Sequence, residues 1–310
     1  MDEGVTSRWR PILGWLLGIG FLGALLYLLQ VTVGWRELFQ PWKALGPARV
    51  AGAFFLVLGS YALRTVRVHQ YFRPDTAGSF LPTFRLVLLH NLLNNLLPMR
   101  SGEASFPVLM KQSFQVPLLR SVSGLLYLRV LDLHFLLVLS ALVFFGRWGP
   151  AGWAVPLLLL PLPLLAFRFH EAARRGHPDG EGGLARLLEA LPSSPGLFWS
   201  VWLWTGLNWT VKLLVFAWIL GAFHPMPYTT ALLGSVTGEL SSVLPVHGVA
   251  GAGTYEAGVL ASLLPLGIEL EPALRAAVNL HLFVLGASVL SGALGLLLPS
   301  GPSRREASSV

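Results

Sequence analysis

An all-α, polytopic membrane protein is the fold class that these 310 residues predict. Three observations carry it. The chain is 54% hydrophobic and only 12% charged, where a soluble globular chain carries about 25% charge. Apolar runs recur at the length of about 20 residues that an α-helix needs to cross hydrocarbon. Helix-breaking and polar residues gather in two places inside apolar stretches, at 81–120 and 229–268.

The elements follow in order. "PILGWLLGIGFLGALLYLLQV" (11–31) reads as a first spanning helix. It is longer than a signal-peptide core, and no small-residue cleavage site follows it. Residues 48–66, 121–145, 150–167, 197–222 and 276–299 read as five more spans. The one long polar segment is 168–196, whose "LARLLEAL" (184–191) fits a short amphipathic helix on the membrane surface. Nothing has the size or pattern of a soluble domain. Residues 1–300 are therefore expected to form a single transmembrane domain, with 301–310 a disordered tail.

The two interrupted stretches contain "HNLLNNLLPMRSGEASF" (90–106) and "SSVLPVHGVAGAGTYE" (241–256). Each runs apolar, breaks at Pro and Gly, and resumes. Main chain freed from helical bonding is tolerated at membrane depth only inside protein or beside a water-filled cavity. Both therefore read as re-entrant hairpins of two half-helices. If the N-terminus is cytoplasmic and both hairpins return to the side they entered, fifteen of the 22 Lys and Arg face the cytoplasm. Five face outward, and Arg129 and Lys212 lie within spans. That bias is the usual one for cytoplasmic loops, and it puts both termini in the cytoplasm. It also accounts for the net charge of +7 without nucleic acid as a partner. The hairpins then enter from opposite sides and share an echo, "NLLPMRSGE" against "SVLPVHGVAGAGTYE". Opposed broken helices in corresponding positions mark an inverted-repeat transporter.

Candidate site residues concentrate at these breaks. Pro98 ends a half-helix because it has no N–H, and Gly102 permits the turn that follows. A half-helix starting near Ser101 to Glu103 would aim free N–H groups at the bilayer interior, an anion site made by main chain. Arg100 adds a fork matched to phosphate, and Glu103 sets the local charge. Asn91, Asn94 and Asn95 either staple helices together or line a polar path. Arg129 and Asp132 stand three apart in an apolar helix and so share a face. A charge at mid-membrane costs at least about 3 kcal/mol, which pairing offsets. The pair reads either as substrate-binding or as a lock between helices, and His134 points elsewhere. Arg64 and Arg67 close the second span, where snorkelling is common and anionic headgroups are steered. Lys212 lies four residues after Asn208 on one helical face, as a second cation for phosphate or a partner for Glu239 or Glu256.

In the second hairpin Pro245, Gly248, Gly251 and Gly253 precede Thr254, expected to cap a new half-helix with Glu256 in its first turn. Glu256 then either holds that cap or acts as a counter-ion or proton relay. "GVAGAG" is not a nucleotide loop, since no strand precedes it and no "GK[ST]" follows. With no Cys, no paired-His motif and no nucleophile–base set, no metal, cofactor or catalytic step is expected.

"NNLLPMRSGE", then "LRVLD", then "LPVHGVAGAGTYE" together resemble the lysylphosphatidylglycerol synthase transmembrane-region family, the flippase-like domain of the bacterial multiple peptide resistance factor. The resemblance runs over roughly 10–299. It implies a multi-pass inner (plasma) membrane protein with two re-entrant hairpins. It also implies translocation of polar lipids, such as aminoacylated phosphatidylglycerol or, in relatives, hopanoids. Pro98, Gly102 and Glu103 match the first motif, Arg129 and Asp132 the membrane helix, and Gly251, Gly253 and Glu256 the second hairpin. Two positions depart. The family's Arg three residues after the first Glu is Phe106 here, and the Glu before the membrane Arg is Leu128. Both missing charges bear on the headgroup taken and on transport itself. The synthase's soluble aminoacyl-transferase domain has no counterpart in these residues, so lysyl-lipid synthesis is not expected of them.

The leading expectation is a flippase-like protein whose partners are membrane lipids with phosphate headgroups, with an oligomer left open. The alternatives are a glycosyltransferase-like or lipid-biosynthetic accessory enzyme, or a non-catalytic partner in a lipid pathway. The enzyme would need a catalytic carboxylate beside a long outer loop, and the outer loops are short.

Overall fold

Long apolar runs flanked by Pro and Gly dictate where the helices begin and end. The computed structural model describes residues 34–76, 79–165, 167–168, 194–243 and 249–301, together with Gly23, Tyr27, Gln30 and Val31. The expected first span (11–31), the amphipathic segment at 184–191, Pro245, Gly248 and the tail 302–310 lie wholly or mostly outside them. Every regular element among the described residues is helical.

Helix α1 (Trp35–Leu45) is bounded by Gly34 and Gly46, both at positive φ. Helix α2 (Pro47–Tyr71) starts on a proline, whose missing N–H costs nothing at the first position. A single turn, α3 (Arg73–Thr76), leads to α4 (Phe80–Leu96). A 3-10 turn (Pro98–Ala104) then breaks the path before α5 (Ser105–Phe114) and the long α6 (Leu118–Phe145). After the short α7 (Ala154–Leu159) comes α8 (Pro195–Phe223), opened by Pro195 and by Ser194, which accepts from the Leu197 N–H at 3.3 Å. Helix α9 (Tyr228–Ser241), a turn at Val249–Gly251, α10 (Thr254–Leu263) and α11 (Leu270–Leu297) complete the chain.

Four stretches among the described residues are long and apolar enough to span a membrane: Pro47–Tyr71, Leu118–Trp148, Pro195–Phe223 and Leu270–Leu297. The sequence places four of its six expected spans on these helices. The expected span at 150–167 is shorter and interrupted. It starts as a 3-10 turn (Pro150–Trp153), and a turn at Leu160–Pro161 follows α7. Pro156, Pro161 and Pro163 lack the N–H groups that a continuous helix needs there.

The packing repeats between two halves. Helices α2, α4, α5 and α6 correspond to α8, α9, α10 and α11. Helix α2 packs on α8; α4 packs on α2 as α9 does on α8; α4 packs on α11 as α9 does on α6. Helix α5 lies against α4 and α6 as α10 lies against α9 and α11. The match is incomplete, since α8 also packs closely on α11. Both broken segments double back, with α5 on α4 and α10 on α9. The two break turns touch each other.

The solvent preference is that of hydrocarbon. Phe55, Val130, Leu203, Leu290 and Leu297 face outward, while Arg64, Arg67, Asp132, Lys212, Glu239 and Glu256 are buried. A water-soluble domain shows the opposite arrangement.

A buried charge network between two helix breaks

The site grows from the first break. Gly102 sits so close to α4 that a Cβ there would run into the Leu93 carbonyl and the Asn94 main chain. That contact presses the 3-10 turn onto the helix it left and brings Glu103 over α6. Arg129, on α6, meets it with two nitrogens: Nη2 lies 2.9 Å from Oε1, and Nε donates to Oε2 at 3.2 Å. The same guanidinium donates through Nη1 to Asp132 Oδ2 at 3.0 Å. Its Nη2 lies 3.3 Å from His90 Nε2, and His90 Nδ1 lies 3.0 Å from the Ser105 hydroxyl at the start of α5. One arginine thus ties α4, the break, α5 and α6 together.

Asp132 serves a second arginine. Arg67 of α2 donates to its Oδ1 at 2.5 Å, and the same Nη1 lies 3.1 Å from the Thr205 hydroxyl of α8. The Trp209 indole N–H, also on α8, donates to Asp132 Oδ1 at 2.8 Å. The carboxylate therefore takes three charged or polar donors while fully enclosed, the condition under which a buried charge is tolerated.

The second break is built differently. Gly251 and Gly253 adopt φ of 75° and 81°, a region open to glycine and costly for other residues. Thr254 does not cap α10, as its hydroxyl donates to the Gly251 carbonyl at 2.9 Å. Gly253 stands at the cap position, and Glu256 reaches back to accept its N–H at 2.8 Å through Oε2. The other oxygen, Oε1, lies 2.7 Å from His281 Nδ1 on α11, and the His281 ring stacks on Tyr255. Lys212 of α8 pairs with Glu239 of α9 at 2.7 Å, not with Glu256.

The halves mirror each other here. Arg64 and Lys212 both stand seventeen residues after the proline that opens their helix. Each bonds a residue 27 positions on: Arg64 donates to Asn91 Oδ1 at 3.3 Å, and Lys212 donates to Glu239. Arg129 and His281 each stand eleven residues into α6 and α11, and each holds the glutamate of the preceding break.

Between the end of α4 and the second break lies a cavity of about 40 Å³, lined in part by Asn94, Asn95, Glu239, Gly251, Tyr255 and His281. It has room for a water or two, not for a headgroup. Asn95 donates to the Ser288 hydroxyl at 2.6 Å, which also lies 3.4 Å from Asn91 Nδ2.

Of the expected site residues, Asn95, Gly102, Glu103, Arg129, Asp132, Lys212, Gly251, Gly253 and Glu256 surround these breaks and their polar network. The Arg100 main chain lies in the first turn, and its side chain is outside the described set. Arg64 and Arg67 differ from expectation in place: they are 7% and 2% exposed, inside the bundle rather than at its surface. Helix α2 continues to Tyr71, more than a turn past the expected end, and carries both inward. Sequence reading missed Trp209, His90, His281 and Ser288, whose partners are distant in the chain. The His90 and His281 positions, each near a break or a charge, were the available signal. At the departing positions, Phe106 fills a core site against Phe72 and His90, and Leu128 is buried.

No curated protein and no solved structure matches the chain. A family model does, over residues 15–292, and its description is the lysylphosphatidylglycerol synthase TM region. That span is nearly the whole chain, so the protein belongs to the lysylphosphatidylglycerol synthase TM region family.

Proposed function

We propose that the protein moves a polar phospholipid between membrane leaflets, without a catalytic step of its own. One observation supports this most: two helix breaks from corresponding halves touch inside an apolar-faced bundle, beside a small cavity that Asn94, Asn95, Glu239 and His281 help to line. Breaks of this kind expose main-chain groups that hydrocarbon cannot satisfy, so they persist where a polar guest passes. In this reading the two segments are re-entrant and enter from opposite faces of the plasma membrane. The termini are cytoplasmic, as the Lys and Arg distribution favours. The headgroup passes between the breaks while its chains stay in lipid.

The residues divide the work. Arg100, Arg64 and Arg67 attract the phosphate, and Arg129 with Lys212 neutralises it during passage. Asp132 and Glu103 hold Arg129, and Glu239 holds Lys212, when no lipid is bound, while Glu256 faces His281. Asn95, Gly102, Gly251 and Gly253 let polar main chain approach the headgroup. Reconstitution of the purified chain in liposomes tests this, with labelled phosphatidylglycerol and a labelled polyprenyl-phosphate lipid as probes. Transfer of either probe to the inner leaflet is expected, and failure with both would defeat the reading. Release of a sugar or acyl product would favour a lipid-modifying enzyme instead.

A further inference from the structure

The two halves agree in geometry and disagree in charge at one point. Lys212 has Glu239 at the position 27 residues on, and Arg64 has Asn91. Among the described residues no carboxylate lies within ion-pair distance of Arg64, though its side chain is 7% exposed. Its Nε is enclosed with no hydrogen-bond partner. The nearby carboxylates are taken: Asp132 by Arg67 and Arg129, Glu103 by Arg129, Glu239 by Lys212, and Glu256 by Gly253 and His281. Both cations lie over the Trp209 ring, its centroid 5.7 Å from the Arg64 guanidinium carbon and 4.9 Å from Lys212 Nζ. An aromatic face offsets part of a cation's desolvation and does not neutralise it. A guanidinium held in a dry interior with no carboxylate of its own is costly, and an anion that arrives there offsets that cost.

We propose, resting on the transport reading above, that Arg64 seats one singly charged oxyanion of a phosphate group, in the place where the other half carries a carboxylate. The guanidinium offers an open Nε and a neutral Asn91 that yields its weak 3.3 Å bond. Asn95, which lines the cavity, shares the Ser288 hydroxyl with Asn91, and Asn91 contacts Arg64, so two side chains stand between the cavity and the seat. One unmatched cation fits a phosphate diester, which carries one negative charge.

The test measures binding to the full chain in detergent, by calorimetry, apart from any transport. The probes are dioctanoyl phosphatidylglycerol, inorganic phosphate, and dioctanoylglycerol, which lacks phosphate. The wild type is expected to bind the first and not the last. Arg64→Gln should weaken phosphatidylglycerol by about 10- to 100-fold, the range for losing a charged hydrogen bond. Asn91→Asp should weaken it comparably while leaving the arginine in place, because the new carboxylate occupies the seat from within. Both variants should melt no lower than the wild type without ligand, since one removes and the other pairs a lone buried charge.

Undiminished lipid binding in either variant would overturn the proposal, as would a lower melting point for ligand-free Arg64→Gln. Arg64-dependent binding of inorganic phosphate as tight as the lipid's would keep the oxyanion seat and make the free ion its source. Arg64-dependent lipid binding by a protein that translocates nothing would sink the transport reading alone. Unaltered translocation by Arg64→Gln would sink this one alone.

Discussion

At the scale of single residues, Asp132 has the most at stake. It neutralises Arg67 and Arg129 and accepts the Trp209 N–H, from three different helices. Asp132→Asn leaves two guanidinium groups without that charge, and breaking a buried pair this way costs about 3–5 kcal/mol. A clear fall in thermal midpoint in detergent is expected, with partial recovery in Asp132→Glu; an unchanged midpoint would make the cluster energetically idle. Glu256 separates two roles in the same way. Glu256→Gln keeps an oxygen for the Gly253 N–H, so stability should hold while the charge facing His281 is lost. Glu256→Ala loses the cap as well, by about 1 kcal/mol. Equal melting of the two variants would deny the cap. The sequence made Arg129 and Asp132 legible because i, i+3 spacing is local geometry. It set Arg67 at the surface and passed over Trp209 and His281, because their partners are set by packing between helices.

At the scale of elements, the breaks were the legible feature and their internal structure was not. Pro98 and the glycines announce that a helix stops, since proline lacks a donor and glycine frees φ. They do not announce that the first turn is a 3-10 stretch pressed on α4, because that depends on the space Gly102 leaves against Leu93 and Asn94. Gly102→Ala puts a methyl where main chain already stands, and overpacking of this kind costs about 1–3 kcal/mol. The variant should lose thermal stability and lipid transfer together, whereas Gly52→Ala, with nothing within 4 Å, should change neither. A matched loss in Gly52→Ala would deny the role of the close approach, because alanine favours a helix interior over glycine and has no reason to lower stability there. Span lengths were misread for a related reason. The expected span stops at 66, just short of Arg67, yet α2 continues to Tyr71 because Asp132 and Asn91 receive Arg67 and Arg64 inside the bundle.

At the scale of the whole molecule, the repeated packing and the small cavity lead to one mechanical requirement. The halves meet through α2 on α8, α4 on α11, α6 on α9 and the two break turns, and the cavity beside the second break is about 40 Å³. A phospholipid headgroup is several times larger, so the proposed transport demands that the breaks separate and close again. Such a motion would carry the ion pairs within each half and open contacts between halves, of which the turn at Val249–Gly251 against α4 is one. Asn94 on α4 and Ala250 in that turn both line the cavity, and the natural chain has no cysteine to interfere. A protein carrying Asn94→Cys and Ala250→Cys, joined by a short thiol-reactive cross-linker with a reducible bond, should stop moving lipid in liposomes. Cleaving the link with reductant should restore transfer, and either single variant should be indifferent to the same treatment. Full transfer by the linked protein would place the lipid path elsewhere on the bundle, and the polar centre would then be a structural lock between its halves.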